Sequence, residues 1–246
     1  MTRYKAASIH LLISIVVVLA TLALMWFVWY PKGMFKLLGG SELLYIISGV
    51  DVCLGPLLTL AVFNTAKKSL KMDLTIIGIL QMAALLYGMY VMFVSRPVFN
   101  VFEEDRFAVS IASDFKNEIE LKKAIKPEWQ SLSWFGPKLV AAQAPADQKT
   151  KEEVMFSGLS WNAFPKLYVD YDSQRQVVLK NAQPLSSLRK SANNVTAVDA
   201  FLTKTGRPET DFVTLPIIYI YTMMAAVIDA KTGDFIEIID AAKNRP

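Results

Sequence analysis

Three long apolar runs occupy the first 96 residues, and none alternates with period two. Leu11–Tyr30 is 20 residues without a charge, Leu43–Phe63 is 21 with one (Asp51), and Leu74–Val94 is 21 without one. Each is long enough as a helix to cross a hydrocarbon core of about 30 Å. Short connections, Pro31–Glu42 and Asn64–Asp73, suit antiparallel neighbours in a small bundle. The first run ends in Trp26, Phe27, Trp29 and Tyr30 and lacks a small-residue cleavage site, so it reads as a retained span and not a signal peptide. The expectation is a membrane protein: a three-span transmembrane helical bundle over 1–95, with spans at about 11–30, 43–63 and 74–94, followed by an α+β domain over 96–246.

Within the second half the pattern changes to short β-rich stretches and polar amphipathic segments. Val98–Phe102 and Arg106–Ile111, separated by Glu103-Glu104-Asp105, predict a hairpin. A helix is expected from Ser113/Asp114 to Ile125, loop over 127–137, a strand at Lys138–Ala142 and a short helix at Asp147–Phe156. Residues 157–183 give no clear period. Asn194 reads as the cap of a helix stopped by Gly206-Arg207-Pro208, and Leu215–Asp229 with Phe235–Ile239 reads as a terminal hairpin turning at Lys231-Thr232-Gly233-Asp234. Strands at both ends with helices between imply an α+β arrangement.

Charge adds orientation. The first 96 residues carry eight Lys/Arg against three acids, whereas the remainder carries 18 against 19. The basic balance of the whole chain therefore belongs to the membrane-flanking part, and the polar half has no net basic charge with which to bind nucleic acid. Arg3, Lys5, Lys67, Lys68 and Lys71 fall on one side of the expected bundle, and Lys32, Lys36 and Arg96 on the other. The bias places the N-terminus in the cytoplasm and the C-terminal domain outside, in the periplasm of a Gram-negative cell. Trp26, Trp29, Tyr30, Tyr45, Tyr87 and Tyr90 fall near the outer interface.

Candidate chemistry is sparse. The single His (His10) and single Cys (Cys53) both lie in the apolar half, so the polar half cannot hold a Ser-His-Asp triad, a thiol nucleophile or a zinc site of His and Cys. Asp170 and Asp172 lack the rest of a calcium loop and read as solvated. No phosphate loop or dinucleotide glycine pattern occurs, and no catalytic residue, metal or cofactor is expected.

The apolar half is more informative. Each run has a seam of polar or small residues at helical spacing: His10, Ser14 and Thr21; Ser48, Asp51, Gly55 and Thr59; Gly78, Gln81 and Gly88. Asp51 lies roughly 12 Å from the outer end of its run by helix rise. A carboxylate there must be neutralised or paired. Three readings stand: contact with a partner's transmembrane helix, a hydrogen bond within the bundle to Thr21 or Tyr87, and a proton or ion pathway. Pro56, after Gly55, removes a helix hydrogen bond and predicts a kink that would expose Ser48, Asp51, Gly55, Pro56 and Thr59 as a partner-helix or bundle contact.

Several segments together carry a resemblance: YKAASIHLLIS (4–14), WYP (29–31), GVDVCLGPLLTLAVF (49–63), QMAALLYG (81–88), RPVFNVFEEDRF (96–107), GPKLVAA (136–142) and DAKTGDFIEI (229–238). The chain resembles the type IV pilin accessory proteins, the TfpX/TfpZ group and the FimB-like fimbrial assembly proteins. The resemblance implies an inner-membrane, non-enzymatic accessory or chaperone-like factor of type IV pilus biogenesis. Its partner would be a major pilin, met through transmembrane helix and globular head, with the inner-membrane assembly platform as a further partner. Two other classes remain: a membrane-anchored envelope sensor, disfavoured by its short cytoplasmic segments, and a carboxylate-based periplasmic enzyme.

Overall fold

The computed structural model describes residues 2–115, 118–157 and 160–241, without the side chains of residues 42, 43, 46, 47, 50, 118, 192 and 193. It forms two compact units: Met1–Val28 with Gly39–Val94, and Trp29–Leu38 with Ser95–Pro246.

The first unit is helical. α1 (Arg3–Leu24) starts at Thr2, whose hydroxyl accepts the Lys5 N–H at 3.3 Å, and runs on as a wider π-helical turn over Met25–Trp29. With no Gly or Pro before Pro31, nothing interrupts it. In the second unit α2 (Met34–Leu37) follows, and in the first come α3 (Gly40–Ser48), a π-helical stretch Gly49–Leu54, α4 (Gly55–Val62) and α5 (Leu70–Val94).

Here the sequence reading needs correction. Among the described residues two helices, not three, are long and apolar enough to cross a membrane: Arg3–Trp29 and Leu70–Val94. The run expected as a second span, 43–63, is broken into pieces of nine, six and eight residues. The cause is local. Pro56 has no N–H for the carbonyl four residues back, and its ring crowds that carbonyl. The backbone just upstream widens to a π-helical path that opens with Gly49 and is followed by Gly55. α4 then packs against both α1 and α5.

The second unit is built on one eight-stranded sheet. Its strands are β1 (Pro97–Glu103), β2 (Arg106–Ile111), β3 (Lys138–Ala142), β4 (Tyr168–Val169), β5 (Gln183–Pro184), β6 (Phe212–Tyr219), β7 (Thr222–Asp229) and β8 (Phe235–Ile239). The order is β4-β3-β1-β2-β6-β7-β8, with β5 on β6. β1 is parallel to β3 and antiparallel to β2, and β2 is parallel to β6. All seven residues of β1 are buried, which explains its poor alternation: a central strand covered on both faces needs no polar side. Around the β1–β3 part pack Phe115, Leu121, Trp129, Phe164 and Tyr168, and around β6–β8 pack Leu185, Leu188, Val198 and Phe201.

The helices of this unit are α6 (Glu118–Leu121), α7 (Gln148–Ser157), α8 (Tyr171–Asn181) and α9 (Ala192–Thr205). The helix expected from Ser113/Asp114 to Ile125 is reduced to a 3-10 turn, Ala112–Phe115, and the single turn α6; residues 116–117 lie outside the described residues. Asn194 sits inside α9 and not at its cap, donating through Nδ2 to the Leu188 carbonyl at 3.1 Å, and Ser191 takes the cap position.

The first connection, placed with the membrane half by sequence, belongs to the second unit. Tyr30, Met34, Phe35 and Leu37 are buried there. Lys32 and Gly33 turn the chain with φ of 56° and 84°, and the Ile238 N–H donates to the Lys32 carbonyl at 3.0 Å. Lys36 pairs with Asp240 at 2.6 Å.

Candidate functional site

The densest group of buried polar side chains in the helical unit comes from three elements. α1 turns Ser14 and Thr21 inward, α4 buries Thr59, and the π-helical stretch carries Asp51. His10 Nδ1 lies 2.6 Å from Thr59 Oγ1, joining α1 to α4. Gln81 of α5 donates through Nε2 to the Asp51 backbone carbonyl at 3.4 Å. A Cβ on Gly55 would stand 2.1 Å from Gln81 Nε2, so the absence of a side chain at 55 lets Gln81 reach across.

The five residues singled out by sequence occupy this region unequally. Asp51, Gly55, Pro56 and Thr59 are buried, while Ser48 is half-buried at the end of α3. Tyr87, considered as an Asp51 partner, is 70% exposed. Gln81 takes the place beside Asp51. His10, part of the polar seam of the first run, reaches Thr59. His10 and Gln81 were visible in the polar seams, but which seam faces which depends on helix rotation, and sequence period alone does not give that.

Asp51 Oδ1 has no hydrogen-bond partner among the described residues although the residue is only 5% exposed. A buried acceptor without a donor is unfavourable, and a polar group brought by another molecule would relieve it. Outside this group the surface of the long helices is apolar: Leu12, Ile13, Val16 and Leu19 on α1, and Ile76, Ile79, Leu80 and Met82 on α5, are exposed. That is the inverse of a water-soluble bundle.

The sheet unit binds its own polar groups tightly. Glu103 Oε1 accepts the Asn162 N–H at 2.6 Å, with Arg106 Nε 3.6 Å from Oε2. Burial nevertheless pushes the Glu103 carboxyl above its usual range. Asn162 is fixed further by Ser110, whose hydroxyl donates to its carbonyl at 2.9 Å, and by the Tyr168 hydroxyl. Asp170 pairs with Lys126, and Asp172 and Asp234 with Arg175. Among the described residues no group of three or more His, Cys, Asp or Glu side chains could hold a metal ion. These carboxylates brace loops.

Comparison with known proteins gives a consistent set. A family model described as "Fimbrial assembly protein FimB" matches residues 1–39. A fimbrial assembly protein of serogroup E1 from Dichelobacter nodosus is 37% identical over 187 residues, covering 74% of this chain and 72% of the relative. The serogroup I protein of the same organism is 36% identical over the same shares. A third, of serogroups C1 and C2, is 40% identical over 112 residues, 45% of this chain and 86% of the relative. No solved structure matches the chain.

Proposed function

The chain belongs to the FimB fimbrial assembly protein family, and on that premise we propose that it serves fimbrial assembly as a membrane-anchored, non-enzymatic factor supporting a major type IV pilin. The observation that carries the reading is the polar group of buried Asp51 and Thr59 with half-buried His10 and Gln81 inside a helical unit whose outer surface is apolar. Such a unit is built for lipid, and the unfilled buried carboxylate oxygen of Asp51 offers an acceptor to a pilin's transmembrane helix. Ser48, Gly55 and Pro56 shape the same face. The sheet unit would meet the pilin's globular head.

Both long helices begin beside basic residues, Arg3 and Lys5 for α1 and Lys67, Lys68 and Lys71 for α5. Both lead at their far ends into the sheet unit. The positive-inside bias then puts the helix starts in the cytoplasm and the sheet unit in the periplasm, with the anchor in the inner membrane.

Deleting the gene tests the function. Surface pili, the cellular level of the cognate pilin, or both should fall, and plasmid-borne full chain should restore them. Unchanged pilus number and pilin level would overturn the proposal.

A further inference from the structure

We propose that one end of the sheet, the end at which both long helices join it, rests on the headgroup–acyl boundary of a lipid bilayer through Trp134, Phe135, Ile220 and Tyr221. The proposal rests on the reading that α1 and α5 cross the membrane.

Strand register collects these residues. Pro97 pairs with Ile111 and Phe99 with Lys138, so the start of β1, the end of β2 and the start of β3 share one end. β2 runs parallel to β6, and Tyr219 pairs with Thr222, so the β6–β7 tip, Ile220-Tyr221, lies at that end as well. Ala225 pairs with Ile239, which brings the end of β8 there too, and Ile238 holds Lys32 of the connection leaving α1. The residue after Ser95, Arg96, donates through Nε to the Ser133 carbonyl at 3.0 Å, and its guanidinium lies 5.6 Å from the Trp134 ring centroid. The loop bearing Trp134 and Phe135 is thereby tied to the point where α5 hands over to β1.

At this end, beside the exposed Lys36–Asp240 pair, four exposed side chains are large and apolar or aromatic: Phe135 is 83% exposed, Tyr221 88%, Ile220 70% and Trp134 63%. The opposite end of the same sheet carries Glu103-Glu104-Asp105-Arg106 and Lys231-Thr232-Gly233-Asp234 at its turns. Ile220 also breaks the usual chemistry of a two-residue hairpin turn. It holds φ of 51°, a region that favours Gly or Asn and strains a β-branched residue. A strained isoleucine exposed at the tip gains nothing in water. At a bilayer boundary both Ile220 and Tyr221 are favourable, since amphipathic aromatic rings and short apolar tips partition there. Lipid is the occupant because the two membrane-crossing helices end within a few residues of this edge.

The test uses the full chain in nanodiscs with Cys53→Ala and one new cysteine at a time: Phe135→Cys, Tyr221→Cys, Lys231→Cys or Leu19→Cys, each carrying a fluorophore. Lipids bearing a nitroxide at the headgroup should quench the labels at 135 and 221 several-fold more than the label at 231, and tail-labelled lipids should quench the label at 19. Labels at 135 and 221 quenched no more than at 231, with 19 still quenched, would overturn the docking while leaving the anchor intact. Loss of quenching at 19 as well would overturn both. Labels at 135 and 221 shielded from water yet untouched by lipid quencher would show a protein contact there and overturn the lipid assignment.

Discussion

Asp51 is the residue at which chemistry and topology meet, because it is buried with one oxygen unsatisfied and sits where the helix widens. If it receives a pilin helix, Asp51→Asn and Asp51→Leu should each weaken crosslinking to pilin while the accessory protein stays at normal abundance. If it only braces the bundle, Asp51→Asn should be mild and Asp51→Leu should lower abundance, through a loss of about 1–2 kcal/mol typical of interhelical bonds in membranes. Immunoblot level and crosslinking yield for both variants separate the two, and no change in either for Asp51→Leu would sink both. Asp229 gives a pH-dependent counterpart in the sheet unit. Arg207 at 2.7 Å and the N–H groups of Thr232 and Lys231 hold its carboxyl down to about 2. A depressed carboxylate stabilises the fold above the ordinary value of 3.8 and loses that contribution as pH falls towards 2. Thermal unfolding of Asp229→Asn should therefore show a lowered Tm near neutral pH, and a gap to the parent that narrows below the ordinary carboxylate value. Glu103 has the opposite sign. Burial raises its carboxyl, so its contribution is greatest below the usual 4.5 and declines as pH rises through its folded value. Asp51 and Thr59 were legible in the sequence because polar residues in an apolar run are conspicuous. The roles of His10 and Gln81 were not, because a contact between helices is set by their mutual rotation.

Elements were legible wherever one local signal decided them. β2, β3 and the β7–β8 turn follow from short β-rich runs closed by turn residues, and α9 stops where Gly206, at φ of 65°, predicts. The second span was misread because hydropathy counts apolar residues and ignores helix continuity; Pro56, Gly49 and Gly55 were the available signal. α8 was missed because its buried residues are few, Tyr171 and Val178, among polar neighbours. The connection Trp29–Leu38 was misplaced for a different reason: its packing partners, Phe235 to Asp240, are some 200 residues away, as the contact from Lys32 to Phe235 shows. Gly33 is the element-scale handle on that packing. Its φ is 84°, and a Cβ there would meet the Ile238 carbonyl oxygen at 2.4 Å, a backbone atom that cannot step aside alone. Gly33→Ala should destabilise the sheet unit by about 1–3 kcal/mol. The same change should speed hydrogen exchange at the Ile238 amide, which donates to Lys32. Unaltered exchange and unfolding would mean that the connection does not depend on this turn.

At the scale of the whole molecule, one constraint dominates: the ends of α1 and α5 both enter the same compact unit. The residues that follow each helix, Trp29–Leu38 and those from Ser95 on, belong to that unit. If α5 crosses the membrane as proposed, Lys67 and Lys68 lie on the side opposite the sheet unit. In the proposed topology, five Lys/Arg near the helix starts against three near the helix ends favour the cytoplasm as the side of the starts. Alkaline phosphatase, active only after export, should be active when fused after Pro246 and inactive when fused after Lys68. Activity at Lys68 alone would invert the orientation and remove any contact between the sheet unit and a pilin head. Activity at both sites would mean that α5 does not cross and would leave α1 as the sole anchor.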